Sequence, residues 1–302
     1  MAFSASDKGM LESYVEQSLP LEDMFTVRGK TALVTGGTSG LGFNSSLRLL
    51  QGGANVVVSS HSTLEEEAAM PLFEQAGFAG KVAFKLCNIC DEDDVAALVD
   101  FAVETFGSLD IYVNSAATWN YAHIYDLPKE DLERVFQTNV YGAFYAMKYV
   151  SRHMVDTGTK GKIVLISSDC PYMPFPVFGG YPHYASSKAA VMGLVTETAK
   201  ELKRFGILVN SIAPGGMVTP GSAGNLCSEG ISEEKQDEFY DELSIWATAD
   251  LLPVDQVATM AYMMCTPASD GITGETIFVN GGANHNIFSR QVAIDAYPPE
   301  DD

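Results

Sequence analysis

Lys30-Thr-Ala-Leu-Val-Thr35, running straight into Gly36-Gly-Thr-Ser-Gly40-Leu-Gly42 and then into Phe43 to Leu50, is the stretch that decides the fold. The first six residues form a short apolar run bounded by turn residues, which predicts a buried strand; the residues after Gly42 return to helical spacing. Strand, glycine turn and helix therefore follow one another without a gap. Glycines let the backbone turn sharply and approach a ligand closely, and the unpaired N–H groups and positive end of the next helix favour a phosphate. The spacing is Gly-x-x-x-Gly-x-Gly, a variant of the commoner Gly-x-Gly-x-x-Gly dinucleotide turn, so the context of strand and helix carries the reading toward a pyrophosphate.

Working outward, further apolar runs occur at Val56–Val58, Val82–Leu86, Leu109–Val113, Lys162–Ile166, Ile207–Ile212 and Thr276–Val279. They alternate with longer helical stretches, expected at about 40–51, 63–76, 91–106, 128–155, 183–205 and 254–265. Alternation of this kind implies crossover units, hence an α/β fold: one doubly wound Rossmann-type domain on a mostly parallel seven-stranded sheet. A chain of 302 residues, 46% apolar, can bury the core this needs, and no proline- or glycine-rich linker divides it. The expected organisation is an N-terminal extension over 1–26, the domain over 27–283 with a substrate loop near 214–247, and a C-terminal tail over 284–302.

Composition excludes several classes. A net charge of −21 repels a phosphate backbone, so no nucleic-acid partner is expected. Glu65-Glu-Glu67, Asp91-Glu-Asp-Asp94 and Glu300-Asp-Asp302 read as solvated helix starts and a frayed tail. Cys87 and Cys90 have the Cys-x-x-Cys spacing, but Cys170, Cys227 and Cys265 are scattered, so free thiols and no metal are expected. No apolar run is long enough to span a bilayer, and the first thirty residues lack a basic start followed by an apolar run; no membrane insertion and a cytoplasmic location are the expectations. Leu11, Tyr14, Val15, Leu19 and Leu21 mark the extension as either an arm packed on the domain or a neighbour, or a disordered segment.

Tyr184-Ala-Ser-Ser-Lys188 puts a phenol and an ammonium four residues apart, on the same face of a helix. A phenol so placed can act as a general base if its phenolate is stabilised. Bringing a phenol from near 10 to about 7 requires roughly 4 kcal/mol of preferential stabilisation of the phenolate. The Lys188 ammonium is the expected source within this motif.

Taken together, Thr35-Gly-Gly-Thr-Ser-Gly-Leu-Gly42, Asn114-Ser-Ala-Ala117, Asn139 in Gln137-Thr-Asn-Val140, Ser167-Ser168, Tyr184-Ala-Ser-Ser-Lys188 and Asn210-Ser-Ile-Ala-Pro-Gly215 with Thr219 resemble the short-chain dehydrogenase/reductase superfamily, from about Val27 to Gly282. The resemblance implies an NAD(P)-dependent oxidoreductase of secondary alcohols and ketones, with Tyr184 as acid/base, Lys188 on the nicotinamide ribose, Ser168 orienting the substrate oxygen and Asn139 holding a water in a proton relay. It places the family's serine at Ser168, the second of its pair, rather than Ser167. It also implies cofactor contacts from Gly36, Thr38, Ser39, Gly40, Leu41, Gly42, Ser60, His61, Asn88, Ile89, Asn114, Ala116, Tyr184, Lys188, Pro214, Gly215, Met217 and Thr219. Departures are Ser115 and Ala117 in the Asn-Asn-Ala-Gly motif, Asn88 where many relatives have aspartate, and a longer gap between Ser168 and Tyr184.

The end of the second strand carries Ser60, followed by His61-Ser62-Thr63, where an NAD enzyme usually has a carboxylate. This polar loop favours NADP(H) without excluding NAD(H), although no arginine or lysine stands beside it. Trp119, Asp169, Tyr172, Phe178 and Tyr181 are the candidate substrate contacts, in loops leaving the carboxyl ends of the strands. Their aromatic rim, with Tyr121, Met173 and Phe175, suits a large apolar alcohol such as a steroid or bile acid, and equally suits intersubunit packing. Asn120, His123, Asp169, His183 and Ser222 keep a sugar or polyol open. Gly221 to Trp246 is expected to form a mobile lid with helix resuming near Ser232. By resemblance the chain is a homo-oligomer, a tetramer or a dimer; a non-catalytic nucleotide-binding regulatory protein is the reading from another class.

Overall fold

The computed structural model describes residues 5–173, 180–236, 238 and 251–283. Seven parallel strands build one sheet: β1 (Thr31–Thr35), β2 (Asn55–Ser60), β3 (Val82–Leu86), β4 (Ile111–Asn114), β5 (Lys162–Ile166), β6 (Leu208–Pro214) and β7 (Thr276–Val279), in the order β3-β2-β1-β4-β5-β6-β7. Every neighbouring pair is parallel. The chain runs outward from β1 to β3, then returns to the other side of β1 with β4. That reversal opens a crevice above the carboxyl ends of β1 and β4, the place where open α/β sheets take ligands.

Alternate strand residues feed two separate cores. Leu33, Val57, Tyr112, Ile163, Leu165 and Val209 face α5 (Glu92–Phe106), α7 (Gly142–Thr157) and α8 (Pro182–Leu202). Ala32, Val34, Val56, Val58, Val113 and Val164 face α3 (Gly40–Gln51) and the helix Val254–Met264 on the opposite side. Both faces of the sheet are thus dry, which is why its strands read as continuous apolar runs and not as alternating ones. α5 illustrates local control: the Asp91 carboxylate accepts from the N–H groups of Asp93 and Asp94, Val95, Leu98, Val99 and Ala102 form the buried stripe, and Gly107, at φ 82°, ends the helix in the left-handed region.

Three expectations change. The helix expected over 128–155 is two helices, α6 (Lys129–Phe136) and α7, joined by one π-helical turn over Gln137–Tyr141 that carries Asn139. The wider turn admits one extra residue, and such turns gather at functional positions. The loop expected from Gly221 onward contains a helix, α9 (Pro220–Ser228), started by Thr219 and Ser222 in a reciprocal capping box, with helix again over 233–236. The extension forms α1 (Ala5–Gln17) and α2 (Leu21–Met24), and α1 exposes Met10, Leu11, Tyr14 and Val15, so in the single chain it does not bury these side chains. Only at Val27, 3% exposed, does the chain enter the core.

Candidate active site

The glycine turn is shaped by backbone crowding. Gly36 has φ +65°, and a Cβ there would stand 2.9 Å from the Ala116 backbone; a Cβ on Gly42 would stand 2.0 Å from the Gly36 carbonyl oxygen. Beside it, Thr35 Oγ1 donates to Asn114 Oδ1 at 3.2 Å, so the amide braces β1 to β4 at the register pair Thr35–Asn114. Ser39 is extended and caps α3 with no side-chain hydrogen bond, leaving the first N–H groups of Gly40, Leu41 and Gly42 to an incoming acceptor. A tight backbone cradle at a helix N-terminus fits the pyrophosphate of a dinucleotide.

Around that cradle the other expected contacts take varied positions. Ile89 is buried against Gly142, while Asn88 is exposed and its side-chain oxygen accepts from the Cys90 N–H. Pro214 ends β6; Gly215 N–H donates to the Val279 carbonyl; the Met217 carbonyl accepts from Ser222 Oγ. The Thr219 hydroxyl accepts from the Ser222 N–H at 3.2 Å, so it serves as a helix cap. Ser60 is buried and His61 exposed.

The four expected catalytic side chains converge from β5, the π-turn and α8. Ser167 points its hydroxyl at the Ile212 carbonyl, 3.0 Å away within the sheet, whereas Ser168 accepts from the Cys170 N–H at 3.2 Å and lies close enough to the Tyr184 phenol to favour its phenolate. Lys188, one turn beyond Tyr184 on α8, is buried; its Nζ donates to the Ile166 carbonyl at 2.8 Å and lies 5.6 Å from the centre of the Tyr184 ring. The Asn139 amide donates to the Thr118 carbonyl (2.9 Å) and to Ser187 Oγ (3.0 Å), and its oxygen accepts from the Thr118 N–H (2.8 Å). Ser187 Oγ in turn donates to the Tyr184 carbonyl at 2.7 Å. Both amide hydrogens of Asn139 are therefore committed to fixing the β4 loop against α8.

Electrostatics follow burial. Desolvation pushes the Tyr184 phenol well above the ordinary tyrosine range, overriding the Ser168 hydroxyl, which acts the other way. In the protein alone, burial therefore dominates the phenol, and the Lys188 ammonium donates to the Ile166 carbonyl. Burial lowers Lys188 to about 8 and raises Asp169 to about 6, the latter opposed by a hydrogen bond from Asn280.

Trp119 packs edge-on to Tyr181 at 5.8 Å and lies 6.0 Å from the Tyr184 ring, with Tyr121 closing the group. Tyr172 is exposed and meets Phe278 edge-on; Phe175 and Phe178 lie outside the described residues. Most of the polar candidates are engaged elsewhere. Asn120 bonds Arg134, Asp131 and His183, and His123 stacks on Tyr125.

Sequence reasoning passed over two residues. Ser187 is one, hidden inside the Tyr184–Lys188 motif. Glu65 is the other: read as part of a solvated helix start, it is half-buried, and its Oε2 accepts from Thr38 Oγ1 and Ser60 Oγ, both at 2.7 Å. An acid shortly after the second strand was the available signal.

Comparison with known proteins decides the family. Residues 36–284 match the family model described as enoyl-(acyl carrier protein) reductase. The chain is 34% identical to (+)-borneol dehydrogenase 2 of Salvia officinalis, covering 91% of this chain and 95% of that one. It is 32% identical to secoisolariciresinol dehydrogenase of Forsythia intermedia, covering 90% and 94%. The chain belongs to the short-chain dehydrogenase/reductase superfamily. A gluconate 5-dehydrogenase from Burkholderia cenocepacia, solved with NADP and tartrate, is similar in structure with a TM-score of 0.77, 27% identity, and coverage of 89% of this chain and 100% of that one. This superfamily member is an oxidoreductase, and its structural neighbours include proteins that bind NADP(H). Among its described residues no helix is long and apolar enough to cross a membrane, and no group of three His, Cys, Asp or Glu side chains is placed to hold a metal.

Proposed function

We propose that the chain interconverts a secondary alcohol and a ketone, with Tyr184 as acid/base and an apolar, ring-bearing molecule as substrate. The observation that carries this reading is the convergence of Ser168, just past the carboxyl end of β5, on Tyr184 and on Lys188 one helical turn further along α8, with Lys188 Nζ 5.6 Å from the centre of the Tyr184 ring. A nicotinamide dinucleotide, when bound, exchanges a hydride with the carbinol carbon. Gly36, Ser39, Gly40, Leu41 and Gly42 would hold its pyrophosphate, Asn114 and Ala116 flank the same crevice, and the Pro214–Thr219 segment closes the far side. Ser168 orients the substrate oxygen; Tyr184 delivers a proton to a ketone oxygen in reduction and takes the proton of the hydroxyl in oxidation. Because burial keeps the phenol protonated, the resting side chain is ready as the acid of ketone reduction. Asn139 acts through Thr118 and Ser187 as a positioning residue.

Support for an apolar substrate comes from the wall of Trp119, Tyr121 and Tyr181 beside Tyr184, and from relatives named for borneol and secoisolariciresinol. A hydroxysteroid-like alcohol is consistent with that wall. A sugar or polyol would need several polar partners, yet Asn120 is taken up by Arg134, Asp131 and His183, and Ser222 by the α9 cap. The same reading includes a homo-oligomer, supported by exposed Leu132, Tyr141 and Phe144 around the α6–α7 junction.

The test replaces Tyr184 with Phe and assays cyclic ketones alongside keto-sugars. We expect turnover of the cyclic ketones by wild-type protein, a loss of about 100- to 10,000-fold in Tyr184→Phe, and unchanged dinucleotide binding. Undiminished turnover in the variant would remove Tyr184 from the chemistry. Exclusive use of keto-sugars would overturn the substrate class, and dinucleotide binding with no biological effect of the substitution would return the regulatory reading.

A further inference from the structure

Selection between NAD(H) and NADP(H) in a doubly wound sheet is made at the carboxyl end of β2, where an acidic side chain accepts from the adenosine ribose hydroxyls or a cation receives the 2′-phosphate. Here β2 ends in Ser60, so the sequence supplies no carboxylate at that position. The structure brings one in from the next element. Glu65 is the third residue of α4 (Thr63–Phe73), and its side chain reaches back to the end of β2 and to the glycine turn. One carboxylate oxygen, Oε2, accepts from Ser60 Oγ on β2 and from Thr38 Oγ1 in the glycine turn, each at 2.7 Å. Ser60 and Thr38 are both about 6% exposed, so the anchoring hydroxyls are themselves fixed by burial. Leu64 and Glu67, on either side, remain exposed.

Two donors from two loops on one oxygen hold the carboxylate in place, and the first turn of α4 adds a favourable dipole. Among the described residues Glu65 forms no ion pair. From Thr31 to Gly80 the one arginine or lysine is Arg48, and its guanidinium is bonded to the Asp255 carboxylate. Lys85 on β3 lies 5.6 Å from the centre of the Phe101 ring.

We propose that Glu65 is the specificity-determining residue for the cofactor and that it makes this chain select NAD(H). Its carboxylate accepts from the ribose diol and repels a 2′-phosphate. The inference rests on the dinucleotide-dependent function above and replaces the NADP(H) preference drawn from Ser60 and His61, which was read without a carboxylate in the loop.

Binding of NADH and NADPH to the purified full-length chain, followed by nicotinamide fluorescence without substrate, tests it in wild type, Glu65→Gln and Glu65→Ala, with a thermal melt of each. Wild type is expected to bind NADH at least tenfold more tightly than NADPH. Glu65→Gln, which keeps an acceptor for Ser60 and Thr38 but removes the charge, is expected to bind NADPH at least fivefold better than wild type. Glu65→Ala is expected to narrow the preference at least tenfold, with weaker NADH binding. Equal or tighter binding of NADPH by wild type overturns the assignment of Glu65 and leaves the oxidoreductase function standing, as does an unaltered preference in Glu65→Gln. Failure of wild type to bind either nucleotide overturns both.

Discussion

Replacing Asn139 with Ala separates a brace from a proton relay. The side chain makes three hydrogen bonds of 2.8–3.0 Å, two with the Thr118 backbone and one with Ser187, and it is 3% exposed. At about 1 kcal/mol for each bond, the Ala variant loses about 3 kcal/mol. For a domain of this size that corresponds to a fall in melting temperature of roughly 6–10 °C. Thr118 immediately precedes Trp119, and Ser187 ties down the carbonyl of Tyr184. The same loosening should therefore lower turnover with cyclic ketones while dinucleotide affinity stays near wild type. Calorimetric melts and a fluorescence titration read the two effects separately. A variant that melts within about 2 °C of wild type but has lost turnover would refute the brace and return Asn139 to the relay.

Three further outcomes follow. Burial holds Asp169 at about 6, above its unfolded value of 3.8, so the native state keeps a proton that the unfolded chain releases, and the stability tied to this group is complete below about pH 4 and lost as pH rises through 6. Asp169→Asn, whose amide oxygen can still accept from Asn280, should gain on wild type between pH 4 and 7 by at most about 3 kcal/mol; a constant difference in denaturant melts across that range would contradict the shift. Gly42→Ala drives a methyl to within 2.0 Å of the Gly36 carbonyl oxygen and must open the turn, costing about 3 kcal/mol and most of the dinucleotide affinity. Gly193→Ala, in α8 with nothing within 4 Å of the added carbon, should instead stabilise by about 1 kcal/mol. Equal titrations and melts for these two variants would discredit the crowding argument.

Much of the fold was legible because its signals are local. Burial on both faces of the sheet makes each strand a short apolar run, and each run expected to be a strand is one. The choice of Ser168 over Ser167 rested on the family resemblance and not on a local signal; in the structure Ser167 donates to the Ile212 carbonyl, while the Ser168 oxygen accepts from the Cys170 N–H. The break at Gln137–Tyr141 was not legible, since a π-turn differs from an α-turn by one residue and leaves the helical pattern on both sides almost unchanged. The cap at Thr219 was hidden too, because a threonine after a glycine-rich strand end is equally compatible with a ligand contact.

By itself the sequence determined the doubly wound sheet, the glycine cradle on which a pyrophosphate fits, and the grouping of Tyr184 with Lys188, all set by spacing within single elements or by backbone requirements of particular glycines. Tertiary structure decided what spacing cannot carry: that Asn139 spends its amide on Thr118 and Ser187, that burial raises the Tyr184 phenol in the protein alone, and that Glu65 reaches back to Thr38 and Ser60. The physical reason is the same in each case. Desolvation and hydrogen-bond partnership depend on what neighbouring elements bring to a side chain, and those neighbours lie 21 residues away at Thr118, 48 at Ser187 and 27 at Thr38.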